Sequence, residues 1–210
     1  MSVLLQINEM LQKGRAKNVE ELVNQAINEG IPAQSILNDG LISAMMVVGQ
    51  KFKENKIYVP EVLIAARAMN AAVAVLQPEL VKQGVKPVGK AIVCTVKGDL
   101  HDIGKNLVKM MLEGVGIECV DLGVDVDGDA IVEAVKETGA NVVCLSALLT
   151  TTMTAQKDVI DALKEAGVRN SVKVMVGGAP VTQSFADSIG ADAYAVDAAS
   201  AAEIALTFFK

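Results

Sequence analysis

Three short stretches of the sequence hold residue types that could do chemistry. The first, Lys97-Gly98-Asp99-Leu100-His101-Asp102-Ile103-Gly104, contains the single histidine of the chain, with carboxylates two positions before it and one after. Imidazole is a common transition-metal ligand. A carboxylate hydrogen-bonded to its second nitrogen fixes the tautomer and raises basicity, and Asp99 is the natural candidate. Taken alone, the loop reads equally as a solvated histidine with Asp99 or Asp102 capping the following helix. With no second histidine and no cysteine nearby, protein ligands could add only carboxylates to His101, which argues against structural zinc and the usual catalytic zinc sets. A metal bound there would take most of its coordination sphere from elsewhere, as in a macrocycle that leaves only an axial position to the protein.

The second stretch, Ser146-Ala147-Leu148-Leu149-Thr150-Thr151-Thr152, is rich in hydroxyls that could hydrogen-bond a bulky polar ligand or cap a helix through Thr151 or Thr152. The third, Gly177-Gly178-Ala179-Pro180, lacks side chains where a ligand or another backbone must come close, or simply makes a tight turn. Gly98 to Gly104 has neither the Gly-x-Gly-x-x-Gly spacing nor the Gly-Lys-Ser/Thr ending of a phosphate-cradling loop.

Elements must bring these stretches together, and the two halves of the sequence follow different rules. From Val3 to Val81 apolar residues recur at helical spacing, with breaks near Gly14 to Asn18, at Gly30-Ile31-Pro32, at Glu54 to Pro60 and at Gln77-Pro78. That pattern predicts four helices in an antiparallel bundle, with Pro60 in the first turn of the last. Lys82 to Gly89, punctuated by Gly84, Pro87 and Gly89, reads as a linker and sets a boundary between residues 1–86 and 87–210. Beyond it, apolar runs at Ala91–Val96, Ile117–Val120, Val142–Leu145, Lys173–Val176 and Ala193–Val196 predict parallel strands buried on both faces. Helices are expected over Ile103–Glu113, Gly128–Thr138, Thr152–Ala166, Pro180–Ile189 and Ser200–Phe209. Five such units predict a five-stranded, parallel, doubly wound sheet of flavodoxin- or Rossmann-like type, so the fold class is α plus α/β. In such sheets ligands bind beyond the carboxyl ends of the strands, and that is where all three stretches fall.

Composition narrows the function classes. At 210 residues and 51% hydrophobic content, the chain can bury substantial cores. A net charge of −6 and a scarcity of aromatics, with no Trp, two Tyr and four Phe, disfavour nucleic acid, which needs cationic and stacking surfaces. No apolar run approaches the ~18 residues of a spanning helix, and the first residues lack the pattern of a secretory signal, so the expectation is a cytoplasmic protein without a membrane partner. Cys94, Cys119 and Cys144 each lie in a strand-like run and read as core thiols. The nine methionines read as flexible core filler or as adaptable pocket lining.

Together the three stretches resemble the cobalamin-binding module shared by cobalamin-dependent methionine synthase, the corrinoid proteins of methyltransferase systems and some B12-dependent mutases. The pattern is Asp99-x-His101-x-x-Gly104, then the 41 residues Lys105 to Leu145, then Ser146-x-Leu148, then the 28 residues Leu149 to Val176, then Gly177-Gly178. Val48-Gly49, Phe52, Glu54, Lys56 and Val59-Pro60, with an apolar helix through Ala65, Arg67 and Met69, are similar to the helical cap that methyl-transferring members place over the corrin.

The resemblance implies a corrinoid bound with its own base displaced and His101 on cobalt, Asp99 holding the imidazole, and Thr152 where the family has a serine. Gly98, Leu100, Asp102, Ile103 and Gly104 would line the histidine loop. Ser146, Leu148, Gly177 and Gly178 would line the path of the nucleotide tail. Thr150 is implied to contact the corrin or its tail, Glu54 to approach from the cap, and Ala199 to line the tail channel. The implied function is a methyl carrier that accepts a methyl group on Co(I) from a substrate-specific methyltransferase and passes it to a second one, with a tetrahydrofolate- or thiol-type acceptor. The resemblance also leaves room for a reductive activation protein as partner. A cobalamin-binding subunit of a mutase and a B12-based sensor share the loops and stay open as alternatives.

Overall fold

The first helices form because their apolar residues fall on one stripe. In α1 (Val3–Gln12) Val3, Ile7 and Leu11 are buried, and the Ser2 side chain caps the Leu5 amide. In α2 (Ala16–Asn28) the stripe is Val19, Val23 and Ala26. The next helical run comprises α3 (Ala33–Ser35), a π-helical stretch (Ile36–Ile42) and α4 (Ser43–Lys53). Gly40 sits in the π stretch, and a Cβ there would lie 3.2 Å from Ile7, so its lack of side chain lets α1 approach. The computed structural model describes residues 2–210. It divides into two units: the residues up to Pro87 with Gly114–Gly116, and Val88–Glu113 with Ile117–Lys210.

The last helix of the first unit, α5 (Val59–Lys82), has Pro60 in its first turn, and the Glu61 carboxylate accepts the Tyr58 amide at 3.0 Å. It corrects two expectations. The helix does not break at Gln77-Pro78 but runs on to Lys82, because Leu76 and Leu80 are buried on one face. Pro78 and Ala74, whose carbonyl the proline ring leaves unbonded, are exposed on the other. At 24 residues, α5 is also long and apolar enough, by length and composition, to cross a membrane. Val62, Ala65, Ala68, Met69, Ala72 and Leu76 are buried where the helix packs along α2, while Leu63, Ile64 and Val81 are exposed.

In the second unit the strands are β1 (Gly89–Val96), β2 (Ile117–Val126), β3 (Val142–Ser146), β4 (Lys173–Gly177) and β5 (Ala193–Ala195). They pair in parallel in the order β2-β1-β3-β4-β5. The order reverses between β1 and β3, so the loops leaving those two strands flank the switch point. Between the strands run α6 (Ile103–Gly114), α7 (Gly128–Thr138), α8 (Ala155–Glu165) and α9 (Gln183–Ile189), with α10 (Ala198–Thr207) after β5. One face of the sheet, with Ile92, Cys94, Leu145 and Val176, packs against Ile131 and Val135 of α7, Val159 and Leu163 of α8, and Ile189 of α9.

Several boundaries move for local reasons. The second and fifth strands are half-exposed because they lie at the two edges, so burial on both faces holds for β1, β3 and β4 and fails for β2 and β5. For the same reason Cys119 is only half-buried, unlike Cys94 and Cys144. Helix α8 starts at Ala155 instead of Thr152, because the carbonyls of Thr152, Met153 and Thr154 accept the amides three residues on, as turns do, and not four on as in an α-helix. Helix α9 starts after Thr182, whose hydroxyl caps the Phe185 amide at 3.2 Å, and α10 after Asp197, whose carboxylate caps Ser200 at 2.7 Å.

Candidate functional site

The loop after β1 turns at Gly98, in the left-handed region at φ 83°, and delivers Asp99 into the interior. Both oxygens of this buried carboxylate are fully used. Its Oδ1 accepts the His101 backbone amide at 3.0 Å and lies 2.7 Å from His101 Nδ1. Its Oδ2 accepts the Leu148 amide at 2.7 Å and the Thr152 hydroxyl at 2.7 Å. Burial pushes the carboxyl pKa up, but the bonds from Thr152, Leu148 and His101 outweigh it and hold the group well below the ordinary carboxylate range. An ionised carboxylate can only accept, so His101 Nδ1 carries a proton, and in the neutral ring Nε2 keeps a free lone pair. The His101 side chain is 52% exposed, and its Nε2 has no protein partner among the described residues. Thr95, fully buried at the end of β1, donates to the His101 carbonyl at 2.8 Å and fixes the backbone of the loop.

Thr152 therefore serves Asp99, and the helix-capping alternative for it falls away; its hydroxyl also lies 3.1 Å from the Leu149 carbonyl. The diglycine is a site of close backbone approach. Gly178 has φ 127°, and a Cβ there would stand 1.8 Å from the Ala147 carbonyl oxygen. Ala147 in turn donates its amide to the Gly177 carbonyl at 3.2 Å, so the turns after β3 and β4 are in direct contact. Ser146 is half-buried at the end of β3, Thr150 is exposed in the loop beyond it, and Gly104 is exposed in the first turn of α6. Asp102 is exposed and accepts the Asn106 side-chain amide at 3.0 Å, and Ala199 is buried in the first turn of α10.

Glu54 belongs to the helical unit and is not among the residues gathered in the α/β unit. Bonds from Gln50 and Lys56 lower its carboxyl pKa. The thiols take no part: burial pushes Cys94 and Cys119 up to about 12 and Cys144 higher still.

Four participants escaped the sequence reading. The Leu148 amide is a backbone group and left no signal. Asp125 receives the Gly98 amide on its carboxylate at 2.8 Å, across 27 residues. Lys105, buried in α6, pairs with Asp121 of β2 at 2.6 Å. Gln156 is fully buried and donates to the carbonyls of Leu145 and Gly177 at 3.1 Å each, tying the ends of β3 and β4. A glutamine one turn before Val159 and Ile160, on the buried stripe of α8, was the available signal.

Residues 89–206 match the B12 binding domain family, and residues 3–77 match a second B12 binding domain model. This chain is a member of the B12-binding corrinoid proteins. It is 40% identical over 208 residues to a corrinoid protein of Desulfitobacterium hafniense, covering 98% of this chain and 96% of the relative. It is 47% identical over 177 residues to the trimethylamine corrinoid protein of Methanosarcina barkeri, covering 83% and 82%. Among solved structures it resembles the methanol:cobalamin methyltransferase complex of Methanosarcina barkeri, with a TM-score of 0.85 and 32% identity over 99% of this chain and 79% of that one. A cobalamin-binding protein of Desulfitobacterium hafniense gives a TM-score of 0.83 at 32% identity over 98% of each chain.

The residues of the corrinoid protein fit its cofactor. Among the described residues no three His, Cys, Asp or Glu side chains cluster to hold a metal ion, so a donor set completed by a macrocycle suits the lone imidazole. Leu100, Ile103, Leu148, Leu149 and Val196 are large apolar side chains left exposed on segments leaving β1, β3 and β5. Apolar groups concentrated at the carboxyl edge of a sheet suit a ligand with a broad apolar surface.

Proposed function

We propose that this corrinoid protein is a methyl carrier between two methyltransferases, with His101 Nε2 as the axial ligand of a corrinoid bound with its own base displaced. The corrinoid, when bound, supplies the cobalt that holds and releases the methyl group. The chain supplies ligation, orientation and control of a proton. Asp99 keeps the proton on Nδ1 and turns the Nε2 lone pair outward, and Thr152 and the Leu148 amide keep Asp99 ionised. A proton added to this set weakens the imidazole as a donor, and its removal restores it, so the Asp99, His101 and Thr152 relay couples donor strength to pH. Gly98, Leu100, Asp102, Ile103 and Gly104, in the loop that carries His101, would help to hold the corrinoid. Ser146, Thr150, Gly177, Gly178 and Ala199 line the nucleotide tail.

The observation that carries this reading is a buried, fully bonded carboxylate holding the sole imidazole with its second nitrogen free, at the switch point of a sheet in a chain of this family. The donor enzyme is specific for a small methylated substrate, the acceptor enzyme carries a tetrahydrofolate or a thiol, and a reductive activation protein restores the carrier after oxidation. Three unpaired thiols suit the reducing cytoplasm.

The test is reconstitution of the apoprotein with cob(II)alamin, followed by electron paramagnetic resonance. With histidine labelled with nitrogen-15, wild type is expected to show the unpaired electron coupled to one nitrogen as a doublet, in place of the triplet of the unlabelled protein. His101→Ala is expected to lose the doublet. A triplet that the label leaves unchanged in wild type would overturn the assignment.

A further inference from the structure

One residue of the α/β unit lies in an unusual backbone region without being a glycine and touches the histidine loop on both sides of Asp99. Strand β2 does not run in simple register with β1. Asp121 pairs with Val93, yet Val126 pairs with Val96, so five steps along β2 face three along β1. The two surplus residues are absorbed at Gly123 and Asp125, both left-handed, with φ 83° and 57°. Bulges of this kind re-aim a strand end, and they are found beside functional sites. A left-handed non-glycine residue costs stability, least for a short polar side chain such as aspartate, and persists where its surroundings hold it.

The bulge places Asp125 against the loop after β1. Its carboxylate Oδ1 accepts the Gly98 amide at 2.8 Å. Its own amide donates to the Asp99 carbonyl at 3.0 Å. The Lys97 ammonium stands 3.8 Å from the same Oδ1, an exposed pair of little energetic weight. Asp125 thus holds the Lys97–Gly98 peptide through its N–H and the Asp99–Leu100 peptide through its carbonyl, bracketing the Gly98–Asp99 segment and so constraining the direction in which the Asp99 side chain leaves the backbone. That direction matters because the carboxylate must meet His101, Leu148 and Thr152 at once, each within 3.0 Å.

The geometry points to Asp125 as a positioning residue for the Asp99–His101 pair, an acid on a bulged edge strand that fixes the tautomer and aim of the imidazole without touching it. This rests on the reading of His101 as the axial ligand, and the experiment separates the two.

The chain has one histidine, so nitrogen-15 spectra of histidine-labelled apoprotein report on this ring alone. In mildly alkaline buffer, wild type is expected to show the Nδ1–H tautomer. Asp125→Gly keeps the left-handed backbone and removes only the carboxylate; it is expected to shift the ring toward Nε2–H. Its affinity for cob(II)alamin is expected to fall by about tenfold, the low end of what loss of an outer partner costs a metal site. Asp125→Asn retains both an acceptor for Gly98 and tolerance of the left-handed region, and is expected to behave as wild type. An Asp125→Gly protein with a lower melting temperature but an unchanged tautomer and unchanged affinity would overturn the inference and leave Asp125 a structural turn residue. A tautomer shift in Asp125→Asn equal to that in Asp125→Gly would also overturn it. If wild type itself showed no histidine nitrogen on cobalt, the ligand assignment would fail, whatever the tautomer spectra of the variants.

Discussion

Replacing Thr152 by valine keeps the shape of the side chain and deletes its hydroxyl, which isolates one of the four hydrogen bonds to Asp99. That bond runs 2.7 Å from a buried hydroxyl to a buried, ionised carboxylate. A hydrogen bond to a charged group contributes about 1.5–3 kcal/mol, so Thr152→Val is expected to lower the unfolding free energy by about 2 kcal/mol near neutral pH. The same loss raises the Asp99 pKa toward its ordinary value, because the Thr152 hydroxyl is one of the donors that lower it. The carboxyl is held below its unfolded value, so its contribution to stability is complete above about pH 4 and disappears as the pH falls through the folded pKa. The variant carries less of that contribution, and its deficit against wild type should therefore be full near neutrality and narrow in acid. Urea unfolding of the apoprotein followed by circular dichroism, from about pH 3 to pH 8, measures the deficit. Thr152→Ser keeps the hydroxyl and is expected to stay within about 1 kcal/mol of wild type. The reasoning is refuted if Thr152→Val matches Thr152→Ser at neutral pH, or if its deficit grows in acid.

Two further outcomes follow from the same geometry. Gly178→Ala combines a φ of 127° with a Cβ 1.8 Å from the Ala147 carbonyl oxygen, so it is expected to cost about 2–4 kcal/mol and to separate the turns after β3 and β4, read as a lowered melting temperature of the apoprotein. The thiols of Cys94 and Cys119, raised to about 12, and of Cys144, raised further, should resist alkylation at neutral pH in the folded protein, where half-buried Cys119 is expected to react before the other two, and all three should react rapidly in the unfolded chain, as mass spectrometry of timed iodoacetamide labelling would reveal.

Much of this was readable because burial writes itself into composition. Strands β1, β3 and β4 are covered on both faces, and their runs of Val, Ile, Cys and Leu carry that signature. The edge strand β2 exposes Glu118 and Asp121, and its bulge belongs to the pairing with β1, which no local pattern encodes. Pro78 suggested a stop, but burial of Leu76 and Leu80 outweighs one missing hydrogen bond on the exposed side. At the site, Asp99, His101 and Thr152 were legible as residue types at a telling spacing. The Leu148 amide and the grip of Asp125 were not, because they arise from backbone groups that only the folded chain brings within reach. Why Gln156 Oε1 is buried without a partner among the described residues has no account in the structure.

The carboxylate of Asp99 gathers its donors from two loops that are 49 residues apart in sequence where His101's loop meets Leu148, and 53 apart at Thr152. Every acceptor position on it is taken. A proton that settles on Oδ2 must displace the Leu148 amide or reverse the Thr152 hydroxyl, so protonation of that oxygen loosens the seam between the β1 and β3 loops. Charge on this one group and closure of the two loops are therefore coupled.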